Sequence, residues 1–264
     1  MSNCFIAVEG PQDVEFVAGL LEPEGFQKVV RVDDLDETFG KRLINTKFPH
    51  EGDLHKRVPN PMFLRRDSRW IAVQAAGGET PQLAKLVRKV MIALQPFPGA
   101  LAAIGVVRDA DQHTAESRVV EFRKEMLAAP VVSGRSVVWP DAPAQVTPST
   151  PRFGIYILPD NTNIGTLDDL LLTCGDLVYP DLIDGARRFV QGVNLELLLK
   201  DDKRLIEKPS GRKKAVAACA ASILKPGMSI AVSIDQNRWL TEQTRELPQV
   251  RSLSQFLKDL CELT

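Results

Sequence analysis

The sequence predicts an α/β protein with a mostly parallel sheet flanked by helices and a helical extension at the C-terminus. Three observations carry that expectation. Short apolar runs alternate with stretches of helical periodicity, as successive strand-helix units require. One run, "ALAAIGVV" from Ala100 to Val107, is apolar without alternation, which is the pattern of a strand covered on both faces. Beyond about residue 175 the periodic segments are helical, apart from "MSIAVSIDQNRW", which fits a strand and a helix equally.

In chain order, Phe5 to Val8 read as a short buried strand. Pro11 and Gln12 then open a helix on which Val14, Val17, Leu20 and Leu21 share one face, and Gly25 ends it. "QKVVRV" is a second strand. Residues 33 to 69 are polar and interrupted by Pro49, Pro59 and Pro61, so an irregular excursion with little helix is expected. "RWIAVQA" is a strand that Gly77 and Gly78 turn into a helix, on which Leu83, Leu86, Val87, Val90, Met91 and Leu94 keep helical spacing. The run from Ala100 to Val107 ends in "RDAD". A helix from Glu116 to Ala128 follows, then a loop with Pro140, Pro143, Pro148 and Pro151. "RFGIYILPDN" is another strand. Helices are expected at about 166–174, 184–200, 212–224 and 252–262. Residues 1–175 thus make an α/β core with an insertion at about 33–69, and residues 176–264 a helical extension packed on it.

Composition restricts the function. The 264 residues are 44% hydrophobic and 25% charged, the profile of a soluble globular chain. No apolar stretch approaches the roughly 20 residues of a membrane-spanning helix, and the N-terminus has no signal-like region, so a cytoplasmic protein without a membrane partner is expected. Cys4, Cys174, Cys219 and Cys261 show no C-x-x-C spacing and read as core side chains. The net charge is −1, so any contact with nucleic acid comes from local patches instead of an overall basic field.

The chemistry lies where apolar strands stop. Three separate runs end in acids: Glu9, then Asp109 and Asp111, then Asp160. In open parallel sheets, ligand sites form outside the carboxyl ends of the strands, which brings these acids to one edge. Asp109 and Asp111, two apart in an extended segment, project the same way. Carboxylates gathered so closely repel unless protonated or neutralised, and a divalent cation, Mg2+ or Mn2+, is the usual partner of such oxygen ligands.

"AVEGPQD", an apolar strand followed by Glu, Gly and an acid in the first helical turn, together with "VVRDAD" about a hundred residues later, resembles the two signature motifs of the TOPRIM domain. That domain occurs in primases, topoisomerases, recombination mediators and OLD nucleases. "FGIYILPDNTNIGTLDDLLL" further resembles a group of bacterial TOPRIM-like proteins, and the likeness spans roughly residues 1–175. It implies a Rossmann-like core, with Glu9 a metal ligand or general acid/base and Asp109 and Asp111 metal ligands. Asp13 becomes a supporting acid, although a helix N-terminus also favours an acid there. Asp160 is a further supporting acid. Asp168 and Asp169 fit a second metal or simply an acidic first turn. The excursion at 33–69 and the proline-rich loop depart from the compact TOPRIM pattern.

The resemblance implies metal-dependent hydrolysis of DNA or RNA phosphodiesters, or a related phosphoryl transfer, with a separate ATPase partner if the parallel with OLD nucleases extends that far. Tyr156 and Tyr179 sit in no nucleophile module of a topoisomerase, and no primase accessory region is present. Two further readings stay open: a non-catalytic nucleic-acid or nucleotide binding module, and a hydrolase of small phosphorylated metabolites. "KPSGRKK" (208–214), with Arg212, Lys213 and Lys214 at a helix start, and "FLRRDSR" (63–69) are the basic clusters available to hold phosphate. His50, His55 and His113 make no ligand set, and Gly77–Gly78 lacks the pattern of a phosphate loop. Trp70, Trp139 and Trp239 are too dispersed to stack bases and read as core anchors.

Overall fold

In the computed structural model, which describes residues 3–50, 52–55, 59–78, 80–128 and 137–263, the first apolar run is the middle of a six-stranded mixed sheet. The elements follow in order β1 (Cys4–Val8), α1 (Pro11–Leu21), β2 (Gln27–Lys28), α2 (Gly40–Leu43), β3 (Met62–Arg66), β4 (Arg69–Ala75), α3 (Thr80–Leu94), β5 (Ala103–Asp109), α4 (Ala115–Leu127), β6 (Arg152–Leu158) and α5 (Leu167–Val178). The remainder is helical: α6 (Pro180–Gly192), α7 (Lys200–Glu207), α8 (Gly211–Leu224), α9 (Ile230–Asp235), α10 (Glu242–Arg245) and α11 (Pro248–Cys261). The strand order is β2-β3-β4-β1-β5-β6, with β4, β1, β5 and β6 parallel and β2 and β3 antiparallel at one edge.

Side-chain alternation sorts β1 between two cores. Cys4, Ile6 and Val8 pack on one face with residues of α1, α5 and α11, while Phe5 and Ala7 face α3 and α4. Gly105 and Gly154 stand side by side on β5 and β6, under α11. A Cβ at Gly154 would lie 2.7 Å from the ring of Phe256, and one at Gly105 would lie 2.5 Å from a methyl of Leu260. These two glycines set how closely α11 seats. Gly154→Ala is therefore expected to lower stability in urea denaturation by about 1–3 kcal/mol, the usual effect of overpacking. A variant that unfolds with the parent would mean that α11 yields freely.

The structure differs from sequence expectation at several places. "QKVVRV" pairs as a strand only at Gln27 and Lys28; Val30 is 90% exposed, so nothing holds the run to the sheet. The excursion contains β3, a strand whose "MFLRR" carries two arginines because it lies near the antiparallel edge. Residues 51 and 56–58 of that excursion lie outside the described residues. The helix expected at 184–200 is two: α6 starts earlier, at Pro180, and ends at Gly192, after which Asn194 caps a new turn by accepting from the Glu196 amide. "MSIAVSIDQNRW" supplies α9, which packs against α1, with Trp239 donating to Ser233.

The C-terminal helices share one apolar cluster with the sheet, since Phe256, Leu257 and Leu260 of α11 join Val8, Val107 and Leu158 there. Among the described residues, no helix is long and apolar enough to cross a membrane.

Candidate functional site

The register of β1 and β5 builds the centre of the site. Val8 pairs with Val107, so the next step along each strand sets Glu9 beside Arg108. Alternation sends Arg108 to the α3/α4 face and Asp109 to the opposite one. Arg108 Nε stands 3.3 Å from Glu9 Oε1, close enough for charge attraction but without hydrogen-bond geometry, and both atoms are buried without a hydrogen-bond partner. The acid at the end of the first strand therefore meets a fully buried guanidinium from its own neighbour strand.

That guanidinium starts a network. Arg108 also donates to Thr80 Oγ1 at the start of α3 and lies 3.5 Å from Glu121 of α4. Thr80 donates to Glu121 at 2.6 Å. Arg118, buried on α4, reaches Glu121 at 3.0 Å, Asp111 at 2.6 Å and the Ala110 carbonyl at 3.1 Å. Asp111 adopts φ 54°, a left-handed turn that Asp tolerates, and its amide donates to the Gly165 carbonyl ahead of α5.

On the other face, Asp109 ends β5 against the start of α5, where the Leu167 amide donates to its Oδ1 at 2.8 Å. Asp13 sits one turn into α1 and accepts from the Gly10 amide at 2.8 Å. Asp168 is buried in the first turn of α5. These acids and Glu9 share one electrostatic field. Burial pushes Glu9 up to about 7, with Arg108 opposing and Asp13 and Asp111 adding to the rise. Burial pushes Asp13 up to about 6, against the Gly10 hydrogen bond and Lys214, with Asp168 adding. Asp109 lies well above the ordinary carboxylate range through burial first, then the charges of Asp13 and Glu9. Burial also raises Asp168, opposed by Lys214.

The remaining sequence candidates separate from this centre. Asp160 accepts four hydrogen bonds from Thr162 and Asn163, which outweigh burial and hold its pKa low; it organises its own turn. Asp169 caps α5 by accepting from the Thr166 amide and pairs with Lys213 at 2.6 Å, which is the first-turn reading. Arg212 faces away and donates to the Val190 carbonyl. The "FLRRDSR" cluster is at the opposite end of the sheet, where Arg65 stacks over Trp70, Arg66 over Phe26, and Arg69 donates to the Glu262 carbonyl. It is therefore no phosphate surface for this site. Sequence reasoning passed over Arg108 and Arg118, and named Lys208 only as part of the 208–214 basic cluster. For Arg108 a signal existed, because the residue before the first acid of "RDAD" must point to the face opposite Asp109.

Beside Asp111, a cavity of 410 Å³ opens between the strand ends and the α7–α8 junction. Its charged lining is Asp111, Arg118, Asp169, Lys208, Lys213 and Lys214. Among the described residues, no three His, Cys, Asp or Glu side chains already stand as a metal cage. The arrangement offers hard oxygen donors at the strand ends, with Glu9 against Arg108, and cations in the wall of the adjoining cavity.

Over residues 4–262 the chain matches the family described as "Protein of unknown function (DUF3226)". The crystal structure of a hypothetical protein from Pyrococcus horikoshii OT3 is similar with a TM-score of 0.55 and 18% identity, covering 99% of this chain and 98% of the other. At that identity the likeness concerns the fold alone. No curated protein matches the chain.

Proposed function

The chain belongs to the DUF3226 family, and from that premise we propose that it is a TOPRIM-type, divalent-metal-dependent phosphodiesterase acting on nucleic acid in the cytoplasm. The observation that carries this reading is the close approach of Glu9 and Asp109 at the ends of two adjacent parallel strands to Asp13 in the first turn of α1 and Asp111 in the turn after β5. Such a cluster is tolerable only when protonated or met by a cation.

The donors suit Mg2+ or Mn2+, being all carboxylate oxygens, and Glu9 Oε1 is buried without a hydrogen-bond partner. Glu9, Asp109 and Asp111, with Asp13 behind them, would have to be drawn together to hold the ion, since among the described residues no three acids converge as they stand. Bound there, it supplies a Lewis acid for a phosphate oxygen and lowers the pKa of a water nucleophile. The chain's own residues do the rest. In the metal-free chain burial raises Glu9 to about 7; a bound cation would lower it, so Glu9 serves as a general acid or base only where it is not itself a ligand of the ion. Arg108 holds that carboxylate from the α3/α4 side, and Arg118 fixes Asp111. Lys214 lies within electrostatic reach of Asp13 and Asp168, where a phosphate would arrive.

The test is incubation with plasmid, single-stranded DNA, RNA and nucleotides in Mg2+, Mn2+ or chelator. Cleavage is expected only with metal, abolished by Asp109→Ala and retained by Asp33→Ala, a change at an exposed acid remote from the cluster. Turnover that persists in chelator, or survives Asp109→Ala, would sink the proposal.

A further inference from the structure

Resting on this reading of the site as a phosphoryl-transfer centre, we infer that the 410 Å³ cavity beside Asp111 is a nucleotide-sized phosphate subsite. The nucleic acid is then engaged one nucleotide at a time, as an unpaired strand end or as the released nucleotide product, and not along intact duplex. The volume is the first argument. It falls near the lower end of the roughly 300–1,000 Å³ of small-molecule sites. One nucleotide fills it, whereas a duplex lies outside it.

Charge is the second. Within the lining itself Arg118, Lys208, Lys213 and Lys214 outnumber Asp111 and Asp169 by two, although Glu121 beside Arg118, and Asp13 and Asp168 within reach of Lys214, offset part of that surplus. Arg118 and Lys213 are already paired with acids. Among the described residues, Lys208 and Lys214 make no ion pair within 4 Å, so they are the cations available to an incoming anion. Two free cations match one or two phosphates. Proteins that hold duplex DNA by its backbone contact about 6–10 phosphates.

The third argument is what the walls lack. No Phe, Tyr or Trp lines the cavity among the described residues, which leaves only His113 and Arg118 to meet a base, so recognition falls chiefly on phosphate and sugar. The wall itself is fixed. Pro209 follows the end of α7, and Gly211 begins α8 with the Leu205 carbonyl oxygen 2.2 Å from where a Cβ would stand, so only glycine lets the two helices meet this closely. Lys208 and Lys214 are thereby presented from the two sides of one rigid corner.

The experiment is metal-free binding by the full chain, in chelator, which separates it from any question of turnover. The probe is a 3′-labelled four-nucleotide oligothymidylate with a 5′-phosphate, compared with the same probe lacking the phosphate, a 20-base-pair duplex, and thymidine 5′-monophosphate as competitor. The phosphorylated single strand should bind best, with a log–log salt slope of about −0.7 to −1.4, as expected for one or two phosphate contacts on a single strand. Lys208→Ala and Lys214→Ala, both at exposed side chains, should each weaken it by about three- to tenfold, the scale of one lost phosphate contact. Lys203→Ala, on α7 but paired with Glu196, should not. Competition by the monophosphate at equal affinity assigns the free nucleotide, and tighter oligonucleotide binding assigns the strand end; both support the subsite. Duplex binding as tight as the single strand, a slope of about −4 or steeper, unchanged affinity in both lysine variants, or no binding by any probe would overturn it. Binding without cleavage on adding Mg2+ would leave the subsite standing and remove the catalytic proposal. Cleavage untouched in both lysine variants would do the reverse.

Discussion

Asp109→Asn is expected to abolish metal-dependent cleavage while making the metal-free chain more stable. The first half follows from its proposed place as an ion ligand: even loss of a group that merely supports a ligand lowers metal affinity or activity by about 10–100-fold, so loss of the ligand itself should exceed that. The second half follows from burial. Asp109 is pushed well above the usual carboxylate range by desolvation and by the charges of Asp13 and Glu9, so near neutrality the folded state must either hold an unfavourable charge or bind a proton that the unfolded chain does not need. Asparagine removes that burden and keeps an oxygen for the Leu167 amide. A gain of about 1–3 kcal/mol is expected at pH 7, a rise of roughly 2–10 °C in melting temperature for a chain of this size. The gain should fade towards pH 4, where the unfolded carboxyl is protonated as well. Glu9 is the wrong place to look for such a gain, because neutralising it leaves Arg108 fully buried with one charge partner fewer. A less stable Asp109→Asn protein at neutral pH would show that this carboxylate is structural rather than held ready for an ion.

Why the sequence disclosed part of this site and concealed the rest can be followed residue by residue. Glu9, Asp109 and Asp111 were legible because each interrupts an apolar run, and an apolar strand followed by an acid marks a strand end whatever the neighbouring strands are. Arg108 was passed over because its partner depends on which strand lies next to β1 and in what register, a long-range fact. Asp160 misled for the converse reason: it too ends an apolar strand, but Asp-Asn-Thr-Asn satisfies its oxygens locally, and side-chain turn chemistry looks in sequence like a poised acid. The basic run divided by helix phase. Successive residues on α8 point about 100° apart, so Arg212, Lys213 and Lys214 cannot all face the cavity, and Lys208, beyond the preceding turn, takes the place that Arg212 vacates. For the fold, β3 was hidden by its paired arginines, whose guanidinium groups lie over Trp70 and Phe26 instead of pointing to a ligand.

The stability of the metal-free protein should fall as pH rises from about 5 to 7, and divalent cation should restore it most where it has fallen furthest. Glu9 moves from 4.5 to about 7 on folding, and Asp13 from 3.8 to about 6. Between those limits the folded state binds more protons than the unfolded one, so by linkage stability decreases with pH across the window. Each shift corresponds to about 3 kcal/mol by the time pH exceeds the folded value. Because Asp13 is one of the charges that raise Glu9, the two together contribute less than their sum. An ordinary surface carboxylate behaves oppositely, since pairing depresses its folded pKa and stability is lost on acidification. Melting temperatures at pH 5, 6, 7 and 8, with and without one fixed Mg2+ concentration set at 10-fold over its apparent dissociation constant at pH 8, separate these cases. Mass action at such an excess adds about 1.4 kcal/mol to the folded state wherever the carboxylates are ionised, and less at pH 5, where protons compete for the same oxygens. Asp13→Asn, which keeps an acceptor for the Gly10 amide, should flatten the metal-free pH profile. A profile that climbs from pH 5 to 7 in the parent, with Asp13→Asn running parallel to it, would mean that these acids are not in each other's field, and the attraction for a divalent ion would disappear along with their repulsion.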